Sequence, residues 1–249
     1  MLYLEGLAWA RKAEMAPVPA GHGGSGPPDL KPEEEQALAF LEKAVAARPE
    51  LAAAHIALAE VLGPHALRRE VRERGLASSR SQASARRKGD APSAVPPDSR
   101  VERVLQAYRR GAQADPLSKS VVEAWIAFAT KAGRLKEADA AFQQLLLRDK
   151  ENAAPFLRYG DFLRADLKDD PGAINAYSRA LIWQPNLEEA RAKIADIYLA
   201  QSAAHFDRKE YATAQARLTD ARRYVGAVDS RQARRLRQLQ AQLAQIRGR

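Results

Sequence analysis

Small and bulky apolar side chains recur along the chain with a helical spacing. The segments EEEQALAFLEKA (33–44), DDPGAINAYSRAL (169–181) and EYATAQARLTDA (210–221) each carry an alanine and, four residues later, a bulky side chain. Residues four apart lie on one face of an α-helix, so each segment predicts a helix that turns this face toward a neighbour. No stretch alternates apolar and polar residues as a half-buried strand would, and alanine and leucine favour helix. The pattern therefore predicts an all-α fold.

The small residues that open these helices return at nearly regular intervals. Ala37, Val104, Ala138, Ala173 and Ala214 are separated by 67, 34, 35 and 41 residues. A period near 34 is typical of a unit built from two antiparallel helices, so the sequence predicts about five such helical hairpins. The first interval equals one unit plus a 33-residue insert, and the last exceeds one unit by about two helical turns.

The repeating unit resembles that of tetratricopeptide repeat (TPR) proteins. The second helix of that family's unit carries a small residue, a bulky residue four positions later, another small residue and a closing proline. Ala173, Tyr177, Ala180 and Pro185 reproduce this order, and Gly160 stands at the small position of the preceding helix. The resemblance implies an all-α, right-handed superhelical solenoid of about five helix–turn–helix repeats plus a C-terminal capping helix.

The domain organisation follows from the same resemblance. It implies a single solenoid over residues 1–249, with inserted loops at 16–31 and 63–99 and a capping helix at 229–248. Both inserts contain the proline and glycine that usually interrupt helices. An alternative assigns residues 65–75 as the second helix of repeat two. The capping helix carries one apolar stripe, formed by Leu236, Leu239, Leu243 and Ile246.

The formal net charge of +9 is spread unevenly. Residues 68–90 and 207–249 carry net charges of +5 and +7. Such basic regions either contact nucleic acid or an anionic surface, or are solvated helix faces. No aromatic residue interleaves the arginines at 68–88, so base stacking has no support there. The candidate anion-binding side chains are Arg68, Arg69, Arg72, Arg86, Arg87 and Lys88.

Residue types that commonly carry catalysis are scarce. The chain has no cysteine, which excludes disulfides and thiol nucleophiles. Its four histidines form no pair spaced by four residues, and the glycines at 21–26 lack the Lys-Ser/Thr ending of a phosphate-binding loop. We therefore expect a protein that is not an enzyme and that holds no cofactor or metal.

In the TPR family, the first helix of each repeat lines a concave groove that binds peptides or partner helices. This sequence does not match the Lys-Asn-Asn-Lys-Arg clamp with which some members hold a C-terminal carboxylate, because Tyr3 and Leu7 stand at its first two positions. The row Arg158, Asp161 and Arg164 is mixed in sign, and it either meets a polar partner or pairs internally. By register, the groove-facing candidates are Tyr3, Leu7, Ile56, Glu60, Glu123, Lys131, Leu157, Arg158, Asp161, Arg164, Lys193 and Asp196.

These observations predict a protein–protein interaction scaffold or adaptor that binds a partner segment in its groove. The alternative function is nucleic-acid or anionic-surface binding through residues 68–88 and the basic C-terminal helix.

A helix that begins at residue 1 without a polar cap favours a fragment of a larger protein or one subunit of an assembly. The alanine- and arginine-rich composition favours a bacterial source. Glu5 and Arg11 interrupt the N-terminal apolar residues, so no signal peptide is expected. The expected location is cytoplasmic for the chain as given, and periplasmic or envelope-associated if a leader was removed.

Overall fold

The computed structural model of the protein describes residues 1–15, 31–84, 99–226 and 230–247. Over these ranges every regular element is an α-helix, and none of the described helices is both long enough and apolar enough to cross a membrane. The helices are α1 Leu2–Met15, α2 Pro32–Ala47, α3 Ala52–Ser84, α4 Ser99–Ala114, α5 Lys119–Lys131, α6 Leu135–Arg148, α7 Ala153–Ala165, α8 Asp170–Trp183, α9 Glu188–Asp207, α10 Tyr211–Arg222 and α11 Arg231–Arg247.

The chain divides into two compact units, Met1–Arg148 and Asp149–Arg249. In the first unit, α1 packs with α2, α3 with α4 and α5 with α6, and α2 and α4 also contact the helix that follows each of them. In the second unit, α7 packs with α8 and α9 with α10, and α11 lies against both α9 and α10. This pairing of consecutive helices is the predicted all-α, TPR-like fold of helical hairpins. The prediction of one continuous solenoid over residues 1–249 stays a prediction.

The predicted contacts between small and bulky residues hold the hairpins together. A Cβ atom added at Gly160 of α7 would lie 2.4 Å from the ring of Tyr177 of α8. A Cβ atom at Gly6 of α1 would lie 2.8 Å from Cγ of Leu41 of α2. Two helices approach this closely only where one offers no side chain to the other. The spacing read from the sequence therefore marks the crossing points of the hairpins.

Local sequence signals mark where several of these helices begin and end. Gly133, between α5 and α6, has a φ of 67°, a conformation that glycine adopts without steric cost. Asn152 caps α7, because its side-chain oxygen accepts a hydrogen bond of 3.0 Å from the amide of Ala154. Asp169 caps α8 in the same way, accepting a 3.0 Å hydrogen bond from the amide of Gly172.

The prediction of a loop from residue 63 was wrong for residues 63–84, which continue α3. The alternative second helix at 65–75 was wrong as well, because these residues belong to α3 and the partner of α3 is α4. Pro64 lies inside the helix with its side chain toward solvent, while its neighbours are buried. Burial of the residues on either side offsets the backbone hydrogen bond that proline lacks. Residues 85–98 of this insert, and 16–30 of the first one, lie outside the described residues.

The C-terminal helix packs as its apolar stripe predicted. Leu236, Leu239 and Leu243 are buried in a cluster with Leu199 of α9 and Leu218 of α10. The arginines and glutamines of α11 occupy its other faces. One side of α11 thus closes the core of the second unit.

Candidate partner-binding surface

The first unit brings two of the predicted groove residues into one cavity. Leu7 of α1 and Glu60 of α3 both line a cavity of about 380 Å³ between α1, α2 and α3. Tyr3 and Ile56, in the same helices, are half-buried outside this cavity, and Glu123 and Lys131 are exposed on α5.

A polar cluster around the buried His65 forms one wall of this cavity. His65 is 7% exposed, and its Nε2 lies 3.1 Å from Oε1 of Glu34. Arg68 donates to the other ring nitrogen, Nδ1, over 3.0 Å. The second oxygen of Glu34 accepts a 2.7 Å hydrogen bond from the amide of Lys31, at the start of α2. Arg68, a candidate for anion binding, therefore has a structural partner in the fold.

In the second unit, part of the mixed-charge row pairs internally. The ammonium group of Lys193 lies 2.6 Å from both carboxylate oxygens of Asp161 and 2.9 Å from Oε1 of Glu189. The phenol of Tyr177 donates a 2.8 Å hydrogen bond to Asp161. These contacts tie α7, α8 and α9 together, so Asp161 and Lys193 position the helices of this face.

The pKa values of this cluster follow from burial and hydrogen bonding. Burial raises the pKa of the Tyr177 phenol, and its hydrogen bond to the Asp161 carboxylate raises that pKa further. Burial by itself lowers the pKa of Lys193, but the hydrogen bonds to Asp161 and Glu189 outweigh burial and leave that pKa raised. Both groups therefore keep their protons at neutral pH, and the cluster stays intact.

Beside this cluster lies an open cleft of about 650 Å³ between α7, α9 and α11. We call it the arginine cleft, because arginines from two of the three helices line it. Two predicted groove residues, Arg164 and Asp196, are part of it. Its lining residues are Arg164, Asp196, Leu199, Ala200, Arg231, Arg234, Arg235 and Gln238.

The arginine cleft carries an excess of positive charge. Four arginines line it together with the single carboxylate of Asp196, which accepts a 3.1 Å hydrogen bond from the Gln232 amide. Within the part of the chain that the structure describes, no carboxylate pairs with Arg164, Arg231 or Arg234. These guanidinium groups can therefore donate hydrogen bonds to acceptor atoms of a ligand.

The remaining candidates lie elsewhere. Leu157 is half-buried and Arg158 is exposed on α7, and neither lines the cleft. Arg69 is exposed on α3, and Arg72 belongs to α3 with its side chain outside the described residues. Residues 86–88, which include Arg86, Arg87 and Lys88, also lie outside them. Among the residues that the structure describes, no group of three His, Asp or Glu side chains could hold a metal ion.

The sequence analysis interpreted α11 as a cap and, in the alternative function, as a basic surface, but it did not predict that this helix lines a cleft with α7 and α9. One signal was present: RQARRLRQ, residues 231–238, places arginines at spacings of three and four on the side opposite its leucines. No such periodic basic face occurs at the start of the other described helices of this unit.

Comparisons with known proteins give likenesses of structure only. No family model and no curated protein matches the chain. A crystal structure of MamA is 12% identical over 77% of this chain and 92% of that chain, with a TM-score of 0.42. PilF of Pseudomonas aeruginosa is 16% identical over 98% and 82%, with a TM-score of 0.39. YrrB, described as a TPR protein with an unusual peptide-binding site, is 16% identical over 83% and 84%, with a TM-score of 0.41. These TM-scores are too low to support a conclusion about this chain, so the fold assignment is based on the helix pairing described above.

Proposed function

We propose that the protein is a non-catalytic scaffold or adaptor that binds a segment of a partner protein in the arginine cleft. The observation that supports this most strongly is the open volume of about 650 Å³ between α7, α9 and α11. Ala200 presents an exposed apolar side chain in the cleft, next to the buried Leu199, and the other lining residues are polar. A concave surface with an apolar centre and a few polar anchors is typical of sites that hold a chain segment.

The residue types of the cleft suit binding better than chemistry. Its polar side chains are arginine, glutamine and one aspartate. Asp196, the single carboxylate, accepts a hydrogen bond from Gln232. General acid–base chemistry needs a group poised to exchange a proton near neutral pH, which this set does not supply. The cleft therefore favours recognition of a ligand.

The alternative, nucleic-acid or anionic-surface binding through residues 68–88 and the basic C-terminal helix, has weaker support from the described side chains. The arginines of the C-terminal helix α11 line a cleft that has no aromatic side chain on which a base could stack. Arg68 is engaged with His65, and Arg69 is exposed on α3 outside any described cavity. Protein binding in the second unit is thus the hypothesis to test first.

The test is to fill the cleft without changing its charge. Ala200 is exposed in the cleft, and Ala200→Trp places a bulky ring there. The matched control is Ala216→Trp, at an exposed position of α10 that does not line the cleft. Peptides selected from a displayed library on the unaltered protein should lose binding to Ala200→Trp and keep it with Ala216→Trp. Selected peptides that bind both variants equally well would place the site elsewhere.

A further inference from the structure

Resting on the proposed function, we infer that the segment bound in the arginine cleft is acidic, with Asp or Glu side chains paired to Arg164, Arg231 and Arg234. Three features of the cleft support an acidic segment: its positive charge, the position of its arginines on α11 and the absence of aromatic side chains from its lining.

The arginines of the cleft converge from two elements. Arg164 lies in the last turn of α7, and Arg231, Arg234 and Arg235 lie at the start of α11. Arg235 donates a 3.1 Å hydrogen bond to Gln238 on the next turn. Guanidinium groups bind carboxylates through two parallel hydrogen bonds, which gives these positions directional selectivity for Asp and Glu.

The first turn of α11 is an unfavourable place for cations in the free protein. The N-terminal end of a helix carries a partial positive charge, so arginines there are repelled while anions are stabilised. The helix Arg231–Arg247 contains no Asp or Glu, and its first turn contains no acidic residue. Ser230 accepts a 3.1 Å hydrogen bond from the amide of Ala233, which satisfies only one of the free amides. A bound carboxylate would neutralise both the arginines and the end of this helix.

The lining of the cleft favours an acidic peptide over a nucleic acid. No aromatic side chain lines it, so bases have no surface on which to stack. Asp196 lies among the arginines, where it can accept a hydrogen bond from a peptide amide. Ala200, which is exposed in the cleft, offers a contact to an apolar side chain interspersed among the carboxylates.

The experiment is a fluorescence-anisotropy titration with a labelled peptide that alternates glutamate and leucine. A second peptide has glutamine in place of every glutamate. The test variant is Arg231→Gln with Arg234→Gln. The control is Arg222→Gln with Arg223→Gln, which removes the same charge from exposed positions at the end of α10. Circular dichroism checks that both variants keep their helices.

We expect the glutamate peptide to bind the unaltered protein and the control alike. The test variant, which lacks two guanidinium partners for the peptide carboxylates, should bind it at least about tenfold more weakly. Equal losses in test and control, or equal binding of the glutamine peptide, would overturn the inference. Tighter binding of a single-stranded oligonucleotide that displaces the glutamate peptide would also overturn it, in favour of nucleic acid. If Ala200→Trp blocks the binding of library-selected peptides that are not acidic, the cleft binds peptides as proposed, but the inference that its partner segment is acidic is wrong.

Discussion

The crossing of α7 and α8 offers a sharp test of how the hairpins are held. A Cβ atom introduced by Gly160→Ala would lie 2.4, 2.6 and 2.9 Å from three ring atoms of Tyr177. Ordinary carbon–carbon contacts are about 3.5–4.0 Å. Tyr177 cannot move aside easily, because it is fully buried and its hydroxyl is hydrogen bonded to Asp161. The two helices must separate by on the order of 1 Å to admit the methyl group.

Two opposing effects set the magnitude. Forcing an extra methyl group into a packed contact costs about 1–3 kcal/mol, and the approach to three ring atoms places this site toward the upper end. Alanine regains up to about 1 kcal/mol because it favours helix more than glycine does. Gly160→Ala should therefore lower the free energy of unfolding by about 2 kcal/mol.

The assay is equilibrium urea unfolding followed by far-ultraviolet circular dichroism. The matched control is Gly111→Ala in α4, where an added Cβ would meet its nearest neighbours, His55 and Val121, at 3.4 Å. Because that contact is close to ordinary packing, this variant should be neutral or stabilised by up to about 1 kcal/mol. If Gly160→Ala is as stable as Gly111→Ala, the close-packing explanation of the hairpins is refuted.

Two further predictions concern the first unit. Burial raises the pKa of Tyr108 to about 12, and the charge of Glu60 contributes to this rise. The protonated phenol therefore stabilises the fold below pH 10, and this stabilisation is lost between pH 10 and 12, where the unfolded chain releases the proton first. Tyr108→Phe should flatten the fall in urea midpoint over that range, and an unchanged slope would contradict it. Arg148 donates hydrogen bonds of 2.5 and 3.2 Å to the carbonyls of Ala112 and Ser118 from its two terminal nitrogens, a fixed fork that the single nitrogen of lysine does not match. Arg148→Lys should therefore lower the free energy of unfolding by roughly 1–2 kcal/mol in urea titrations, whereas no loss would show that these bonds contribute little.

The hairpins could be predicted because their signals are local. Ala173 and Tyr177 are four residues apart, and Gly160 stands at the small position of the helix before them, so one short window contains both sides of a contact. Gly133 likewise marks its turn by its own backbone preference.

The course of α3 could not be predicted in this way. Pro64 is a local signal that predicts a break in the helix, but α3 continues through it because contacts with residues distant in the sequence stabilise the helix. A Cβ atom at Gly63 would lie 3.4 Å from the ring of Phe128, which is far along the chain. Such contacts have no signature within the segment itself, and they override the local preference.

The arginine cleft was found only in part for a similar reason. Arg164 and Asp196 were predicted from the register of the repeats, but Arg231 and Arg234 depend on how α11 docks. Its leucines pack against α9 and α10, and this orientation brings its first turn to the edge of the cleft. The repeat pattern contains no information on that docking, because α11 stands outside the repeat.

A methyl-resolved NMR titration of the protein with the glutamate–leucine peptide would show where the peptide binds. We expect the largest shifts at the methyl groups of Leu199 and Ala200, which line the arginine cleft. The methyl group of Ala216, on α10, should shift little. Shifts concentrated away from α7, α9 and α11, with Leu199 and Ala200 unchanged at saturation, would contradict this expectation.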